Sequence, residues 1–354
     1  MTRFASWPAW AARLTLAVLA GLVVYSMTLQ PADPRPGRPP STFSDGALYA
    51  AIADRVMRGE TYYEAAAAEQ RAHGYPTTPA QVFREPTLSW IMAALRFDLL
   101  RRAAPAVLAV LAGVAIHHAL RREGMTASRR VAAMVVLASG LAIVFQLQAY
   151  LLHETWAALF IALSLAAYRP GRWRAAVALG VVACLFRELA LPYLWAMGAF
   201  SVVERRWREA VGWAAGSLAF LAVYAVHLSL AAGQIASGAA GSPGWIGLGG
   251  APFVLETVRR NAALALAPEP IVALVAGLGL IGLIGARNPI AARCAAIVAG
   301  YMAAFLVVGR PDNSYWGLLY APILPLGLVL SPPALRDLWR RALSRPALAG
   351  TADG

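Results

Sequence analysis

The sequence VAAMVVLASGLAIVFQLQAY, residues 131–150, decides the fold. It carries no charged side chain and is as long as the run of about 20 apolar residues with which an α-helix crosses a bilayer. Comparable runs recur along the 354 residues, of which 59% are hydrophobic and only 14% charged. We therefore predict an all-α, polytopic membrane protein. A soluble protein would not carry so many apolar residues, and an outer-membrane β-barrel would alternate apolar and polar ones.

The apolar runs predict about ten crossings in a single integral membrane domain that covers residues 1–354. The first crossing, at 10–29, is followed by an outer loop at 30–85, the remaining helical bundle at 86–330 and a tail at 331–354. We predict that the apolar segment 86–100 dips into the membrane without crossing it. The other crossings are predicted at about 103–120, 131–150, 154–168, 174–186, 189–203, 210–231, 267–286, 290–309 and 315–330.

The arginines predict the orientation. The formal net charge is +13, and all 31 basic residues are Arg, in short clusters between apolar runs. Such clusters are typical of cytoplasmic loops and not of a surface that binds nucleic acid, so no nucleic-acid partner is expected. Both termini are then cytoplasmic, and two pairs, Arg101-Arg102 and Arg259-Arg260, fall on the far side against the rule. The Ala- and Arg-rich composition favours a bacterial inner membrane, with membrane lipids as the surroundings.

The predicted orientation requires a break in the apolar stretch 174–203. A continuous helix there would bury Arg187 and Glu188 near the bilayer centre, which is costly for an unpaired charge. Pro192 favours a break, since it removes a backbone donor and disfavours helix before it. The alternative is one long tilted helix with a buried pair of Arg187 and Glu188.

Missing residue types narrow the chemistry. The chain has no Lys, which excludes Schiff-base catalysis and a Walker-type phosphate loop. Its two cysteines, Cys184 and Cys294, both lie in apolar runs, so we predict neither a disulfide framework nor a zinc site.

The most suggestive polar clusters all fall on the predicted exoplasmic side, so the sequence indicates one site there. The clusters are Ser44-Asp45-Gly46, Phe83-Arg84-Glu85-Pro86, His153-Glu154, Arg187-Glu188 and Arg310-Pro311-Asp312-Asn313.

The first outer loop is predicted to contain two amphipathic helices that lie along the membrane surface. Ser44 should cap the first helix, which begins near Asp45 and ends at Gly59. The second covers about Tyr62 to His73. The apolar face predicted for the first helix consists of Leu48, Ala51, Ile52, Val56 and Met57.

Asp45 is the predicted catalytic base. A carboxylate at a helix N-terminus is stabilised in its charged form by the helix dipole, which suits a group that must accept a proton at neutral pH. The competing interpretation is that Asp45 only caps the helix.

The first loop resembles that of the C-type (GT-C) integral membrane glycosyltransferases. The likeness lies in an acidic residue in the first outer loop, two juxtamembrane helices and an Arg/Pro element before the next apolar helix, and it covers about residues 10–200. The residues that carry it are Asp45, Tyr49, Ala53, Gly59, Tyr62-Tyr63 and Arg84-Glu85-Pro86. A soluble C-terminal domain, present in many members, has no counterpart here.

The resemblance implies a sugar donor linked to polyprenyl phosphate, an outer, periplasmic active site and a second acidic residue, for which Glu154 is the candidate. Cations must neutralise the departing phosphate, and Arg84, Arg187 and Arg310 can do so. We rank Arg187 and Arg310 above Arg84, because charges at membrane depth are functional by default. Each arginine has an alternative partner, in Glu85, Glu188 and Asp312 respectively.

The other polar groups have weaker roles in this hypothesis. His153 is a candidate acid or base, and Tyr315 belongs either to the substrate site or, with Trp316 and Tyr320, to an interfacial aromatic belt. The glycine-rich segment 233–250 is interpreted as a mobile loop over the substrate. The predicted substrate-binding residues are Arg84, Glu85, His153, Arg187, Glu188, Arg310, Asp312 and Tyr315.

Two other function classes stay open. A secondary transporter or lipid flippase would also place charges in a broken helix near Arg187, although no internal repeat is visible. A membrane-bound acyltransferase that uses His153 ranks third. A site for Mg²⁺ or Mn²⁺ among the carboxylates stays open too, since no spacing requires one.

Overall fold

The computed structural model describes residues 1–29, 43–146 and 148–344, and these are mostly helical, with no strand among them. The proline-rich stretch 31–40 and the end of the tail lie outside the described residues. The α-helices are α1 (Ala9–Ser26), α2 (Asp45–Met57), α3 (Tyr62–Ala72), α4 (Thr87–Ala94), α5 (Asp98–Arg122), α6 (Ala127–Leu141), α7 (His153–Ala167), α8 (Arg174–Phe186), α9 (Leu191–Val203), α10 (Trp207–Ala232), α11 (Gly250–Val258), α12 (Glu269–Gly285), α13 (Pro289–Phe305) and α14 (Leu326–Leu343).

The helices support a multi-pass membrane protein. Four stretches are long and apolar enough to cross a bilayer: Ala9–Ser26, Asp98–Arg122, Ala127–Phe145 and Trp207–Ala232. The apolar helices α7, α8, α9, α12 and α13 are shorter, and at 1.5 Å per residue they extend over roughly 20–25 Å. The count of ten crossings and the orientation stay predictions.

The bundle has two chemically different ends. We call the end where α7 begins and α8 ends the site end, and the opposite end the basic end. Arg122, at the end of α5, donates a hydrogen bond to the carbonyl of Ala166, at the end of α7 (2.8 Å). Arg293, near the start of α13, binds Glu204, which follows α9 (2.8 Å). Arginines predicted to share one side of the membrane therefore do lie at one end of the bundle.

The two arginine pairs that break the charge rule are neutralised by nearby carboxylates. At the site end, every one of these four guanidinium groups lies within ion-pair distance of an acidic side chain. The pairs are Arg101 with Asp54 (3.1 Å), Arg102 with Asp98 (2.7 Å), Arg259 with Glu256 (3.2 Å) and Arg260 with Glu256 (3.9 Å). These four arginines are thus held in ion pairs at the site end, although the inside-outside rule counts Lys and Arg and gives their acidic partners little weight.

The ambiguous segment 86–100 divides into a short helix and a break. The helix α4 has 8 residues and is therefore only about 12 Å long, far less than a bilayer core. The chain turns at Leu95 to Phe97 before α5 begins at Asp98. This geometry agrees with the prediction that the segment does not cross.

The helix predicted over 315–330 is wrong. A 3₁₀ segment, Pro311–Leu319, is followed by turns up to Pro325, and only then does α14 begin. Every residue from 316 to 327 is buried. Irregular backbone at membrane depth is tolerated where protein covers it, so the apolar composition here reflects burial in protein and not a helix in lipid. The tail is predicted to begin at residue 331. In the structure, residues 331–343 instead belong to α14, which ends at Leu343.

Glycines allow α12 and α14 to approach each other closely. A Cβ atom added to Gly282 would lie 1.8 Å from the carbonyl oxygen of Gly327, and one added to Gly327 would lie equally close to that of Gly279. Small residues at such a crossing let membrane helices gain van der Waals contact between backbones. This contact holds α14 against α12 just below the irregular segment.

Candidate functional site

The two helices predicted for the first outer loop are present as α2 and α3. The hydroxyl of Ser44 accepts a hydrogen bond from the Ala47 amide (3.2 Å), which is a side-chain N-cap. Gly59 follows α2 with a φ of +99°, a conformation that favours glycine and ends the helix. Both predicted signals therefore act as expected.

The buried face of α2 differs from the predicted one. Leu48 and Ile52 are buried as expected, but Tyr49 and Ala53 complete the face. Met57, predicted on that face, is 41% exposed. The true face directs Tyr49, a polar aromatic residue, into the bundle, and this brings a phenol into the candidate site.

The chain does break near Arg187, as predicted. The helix α8 ends at Phe186, Arg187 is extended (φ −153°, ψ 116°) and the 3₁₀ turn Glu188–Ala190 leads into α9, with Pro192 in its first turn. The break does not bring Arg187 to the surface, however, because its side chain is 0% exposed. The structure thus combines the predicted break with the buried arginine of the alternative.

Arg187 lies between two carboxylates. Its Nε is 2.6 Å from Glu154 Oε1, and its Nη1 is 3.0 Å from Glu188 Oε1. Glu154 is 1% exposed, whereas the Glu188 side chain is 24% exposed. The Trp316 ring lies 5.7 Å from the guanidinium carbon. Two acidic partners neutralise this cation, as a buried charge requires.

Glu85 and His153 line the same interior. Both are nearly inaccessible, at 4% and 1% exposed. The His153 ring meets the Tyr49 ring edge-on, with ring centres 4.7 Å apart. Burial raises the pKa of the Glu85 carboxyl well above its ordinary value, and the nearby negative charge of Glu188 acts in the same direction. The environment of Glu85 therefore favours its protonated form.

Backbone contacts hold the segment that carries Arg84. The Tyr62 hydroxyl donates a hydrogen bond to the Arg84 carbonyl oxygen. The preceding carbonyl, of Phe83, lies 3.1 Å from His227 Nε2, and His227 Nδ1 lies 3.1 Å from the Tyr63 hydroxyl. Helices α3 and α10 thus fix the backbone from which the Arg84 side chain extends.

The Arg84 guanidinium is the least neutralised of the three candidate cations. Its Nε donates to the Tyr49 hydroxyl (3.3 Å), and no carboxylate of the described residues lies within ion-pair distance of it. Burial raises the pKa of the Tyr49 phenol to about 12, so this partner stays neutral at physiological pH. The side chain is also partly accessible. The ranking of Arg84 below Arg187 and Arg310 is therefore not supported by the contacts.

Asp45 is partly exposed at the first position of α2. Since Ser44 is the N-cap, Asp45 is not the capping residue that the competing interpretation required. Within the described ranges its carboxylate takes part in no hydrogen bond or ion pair. Asp45 and Tyr49 lie one turn apart on the same face of α2, and the negative charge of Asp45 also reaches the phenol of Tyr315.

The site cluster therefore has a buried floor and a partly exposed rim. The floor consists of Glu85, His153, Glu154 and Arg187, and the rim of Asp45, Arg84, Glu188 and Tyr315. Tyr49 lies between them. Eight of the ten predicted catalytic or substrate-binding residues belong to this set, and the other two, Arg310 and Asp312, do not.

Arg310 and Asp312 lie apart from the cluster. They pair with each other (3.3 Å), and Arg310 also donates to the carbonyl of Pro243 (3.0 Å). Pro243 belongs to the glycine-rich segment 233–250, which makes two further backbone hydrogen bonds. The Ser242 amide donates to the Thr78 carbonyl, and the Gly309 amide donates to the Trp245 carbonyl. None of these contacts joins Arg310 to the floor or the rim.

Sequence reasoning missed two participants. His227 lies in the apolar run 210–231, where a lone histidine was a visible signal, and it fixes the Arg84 segment. Trp316 was interpreted as part of an interfacial belt, but it is 3% exposed and packs beside Arg187. Nothing in its sequence context separates a belt tryptophan from a buried one.

In residues 1–29, 43–146 and 148–344, no three His, Cys, Asp or Glu side chains are grouped so that they could hold a metal ion. No protein-family model, curated protein or solved structure matches the chain.

Proposed function

We propose that the protein is a membrane glycosyltransferase that transfers a sugar from a polyprenyl-phosphate-linked donor to an acceptor hydroxyl. The observation that carries the proposal is the rim of the site cluster. Among the described residues Asp45 is a carboxylate without a partner, and it lies one helical turn from Tyr49 on α2. The Tyr49 hydroxyl in turn accepts a hydrogen bond from Arg84, a guanidinium without a carboxylate partner among those residues. Both are held by the juxtamembrane helices, where the head group of a membrane lipid can reach them. The GT-C resemblance of the first loop points to the same chemistry.

Arg84 binds the donor phosphate in this proposal. As the bond between the sugar and the phosphate oxygen breaks, the electron pair stays on that oxygen, and the phosphate gains negative charge. A guanidinium that no carboxylate neutralises stabilises this charge best, since it can donate two parallel hydrogen bonds. Arg187, held between Glu154 and Glu188, instead positions these two carboxylates.

Asp45 is the base. It takes the proton from the acceptor hydroxyl as the acceptor oxygen forms its bond to the sugar carbon and the polyprenyl phosphate leaves. A carboxylate at the first position of α2 suits this role, because the helix dipole favours negative charge there. Tyr49 and Tyr315, which lie beside Asp45, are placed to contact the sugar or the acceptor.

The proposed orientation follows from the two ends of the bundle. About ten crossings place both termini and the basic end in the cytoplasm, and the site end faces outward, in a bacterial inner membrane toward the periplasm. The collection of arginines at one end of the bundle supports this orientation.

A secondary transporter is the second candidate, and one observation favours it. The break between α8 and α9 buries Arg187 at a helix interruption, as transporters do with charges that bind substrate. A transporter would leave the donor lipid chemically unchanged, whereas a transferase would consume it.

The direct test is donor consumption by the purified full chain. We expect polyprenyl-phosphate sugars extracted from membranes to be converted to polyprenyl phosphate, as measured by mass spectrometry. Arg84→Gln should lower the rate by roughly a hundredfold, the usual worth of one preorganised charge-stabilising group. Arg102→Gln, which removes an arginine already paired with Asp98, is the matched control and should keep its rate. An intact donor with the wild-type protein, across varied acceptor extracts, would refute the proposal.

A second pair of variants tests Asp45. Since Ser44 caps α2, both Asp45→Asn and Asp45→Ala should fold, and both should lower turnover by roughly a hundredfold or more because neither accepts the proton. Donor binding should persist in the Asn variant. Normal turnover in Asp45→Asn would remove Asp45 from catalysis and direct attention to Glu154 or Glu85.

A further inference from the structure

The basic end contains a cavity that the proposed function does not use. It has a volume of about 680 Å³ and lies where the α7–α8 connection meets the start of α10. Its charged lining consists of Arg172, Arg174, Arg206, Arg208 and Glu209. It lies at the opposite end of α8 from the site cluster, about 20 Å away along that helix.

The one acidic group of the lining is already occupied. Glu209 accepts hydrogen bonds from the Tyr168 hydroxyl (2.9 Å) and from the Gly171 amide (2.7 Å). It lies 3.7 Å from Arg206, so it neutralises part of only one arginine. Across the described part of the chain, Arg172, Arg174 and Arg208 form no ion pair. The cavity is therefore strongly positive, since among its arginines only Arg206 pairs with acidic groups of the described residues.

Aromatic and apolar side chains place this cavity at the edge of the membrane. Trp173 packs on α10, where a Cβ at Gly212 would lie 2.1 Å from its ring. Trp207 is 62% exposed, and the neighbouring Val203 is 80% exposed. Tryptophan side chains favour the head-group level of a bilayer, and exposed valines beside them fit lipid tails. A ligand of the cavity can thus combine an anionic group with an apolar tail.

We propose that this cavity binds the phosphate group of an anionic phospholipid from the adjoining leaflet. The guanidinium groups of Arg172, Arg174 and Arg208 bind the phosphate oxygens, which arginine does with paired hydrogen bonds. The first turns of α8 and α10, which line the cavity and lack side-chain caps, add positive helix-dipole ends. Basic pockets between membrane helices bind anionic head groups in this way. The inference does not depend on the proposed enzymatic function.

The test is native mass spectrometry of the full chain in detergent, with phosphatidylglycerol and phosphatidylcholine as probes. We expect the wild-type protein to retain phosphatidylglycerol at least tenfold more strongly. Arg174→Gln combined with Arg208→Gln should weaken that retention by roughly tenfold or more, at several-fold for each arginine. The control is Arg129→Gln combined with Arg336→Gln, which removes two exposed arginines that lie outside the cavity and form no ion pair among the described residues. This control should change retention less than twofold.

Three outcomes would overturn the proposal. Equal retention of the two lipids would exclude recognition of the anionic group. An equal loss in both double variants would show general surface attraction and no site. Displacement of phosphatidylglycerol by millimolar pyrophosphate would assign the cavity to a soluble phosphate if a second measurement agreed. In that measurement, pyrophosphate would raise the thermal stability of the protein in phosphatidylcholine nanodiscs as much as phosphatidylglycerol does. If the cavity double variant does not fold, Arg208→Gln alone must still lower retention, and an unchanged value would refute the site.

Discussion

The two buried arginines of the bundle, Arg187 at the site end and Arg293 at the basic end, resemble each other closely. Both are at most 2% exposed, both contact glutamates and both lie near aromatic rings, Trp316 at 5.7 Å and Tyr168 at 4.5 Å. Their surroundings differ. Arg187 meets the fully buried Glu154, whereas Arg293 meets Glu204, whose side chain is 29% exposed.

The networks beyond these arginines differ as well. At the basic end, the Tyr168 hydroxyl accepts a hydrogen bond from Arg293 and donates one to Glu209. These hydrogen bonds link the start of α13 to the start of α10. At the site end, the Glu85 carboxyl oxygens, both His153 ring nitrogens and Trp316 Nε1 have no hydrogen-bond partner in the described residues, whereas at the basic end Arg293 Nε and Arg206 Nη1 have none. Buried polar groups are normally satisfied, so a cluster of unsatisfied ones around Glu85 and His153 calls for a ligand or a proton to occupy them. The role of a buried arginine is therefore decided by the groups that surround it, since burial and acidic partners are common to Arg187 and Arg293.

The largest effect on stability is expected for Arg187→Gln. It leaves Glu154 as an uncompensated buried carboxylate, which costs about 3 kcal/mol of the free energy of unfolding. The measurement is unfolding of the purified protein in mixed micelles. Adding Glu154→Gln to the same chain should recover most of the loss. If the single variant were as stable as the wild type, the pair would not be the structural core of the site end.

A smaller loss, about 2 kcal/mol, is expected for Arg293→Gln, because the partly exposed Glu204 can be hydrated once its partner is gone. Donor consumption per folded molecule should stay unchanged, since this network lies at the far end of the bundle. The same unfolding measurement, combined with a turnover assay, separates the two effects. A fall in turnover without a fall in stability would contradict the structural role of Arg293.

Glu85 should make the site end sensitive to pH. Burial raises its pKa in the folded state, so above about pH 4.5 the unfolded chain releases a proton that the folded protein keeps. Stability should therefore fall as pH rises until the folded-state pKa is passed, by on the order of 1 kcal/mol per pH unit. Thermal unfolding between pH 5 and pH 8 should show a flatter profile for Glu85→Gln. The exposed Glu64→Gln should follow the wild type, and an unchanged slope in Glu85→Gln would assign the effect elsewhere.

The smallest effect is expected for Arg310→Gln. Its side chain is 25% exposed and pairs with Asp312, which is 45% exposed, so the pair contributes less than about 0.5 kcal/mol. Turnover should stay within threefold of the wild type, because Arg310 contacts neither the floor nor the rim. A loss of more than tenfold in donor consumption would restore Arg310 as a phosphate ligand, as the sequence alone suggests.

Local signals predicted the elements that carry the site, but tertiary contacts decide the roles within it. Ser44 and Gly59 set the limits of α2, and Pro192 marked the break after Arg187, because caps and breakers act on adjacent backbone. The sequence could not predict that Arg84 has no carboxylate partner among the described residues. Glu85 is its neighbour in sequence, yet no ion pair forms between them. The ion pair between Arg293 and Glu204 was not predictable either. An arginine near a loop has the same sequence signature whether it contacts lipid head groups or a glutamate.

The buried irregular segment from residue 316 to 325 has a consequence for biogenesis. Its backbone lacks the continuous helical hydrogen bonds that let a segment partition into lipid on its own. It can enter the bundle only when protein partners are already in place, and a Cβ at Gly317 would lie 2.0 Å from the carbonyl oxygen of Thr257, at the end of α11. The segment must therefore dock onto helices that are already assembled, and the same docking event brings Tyr315 and Trp316 to the site.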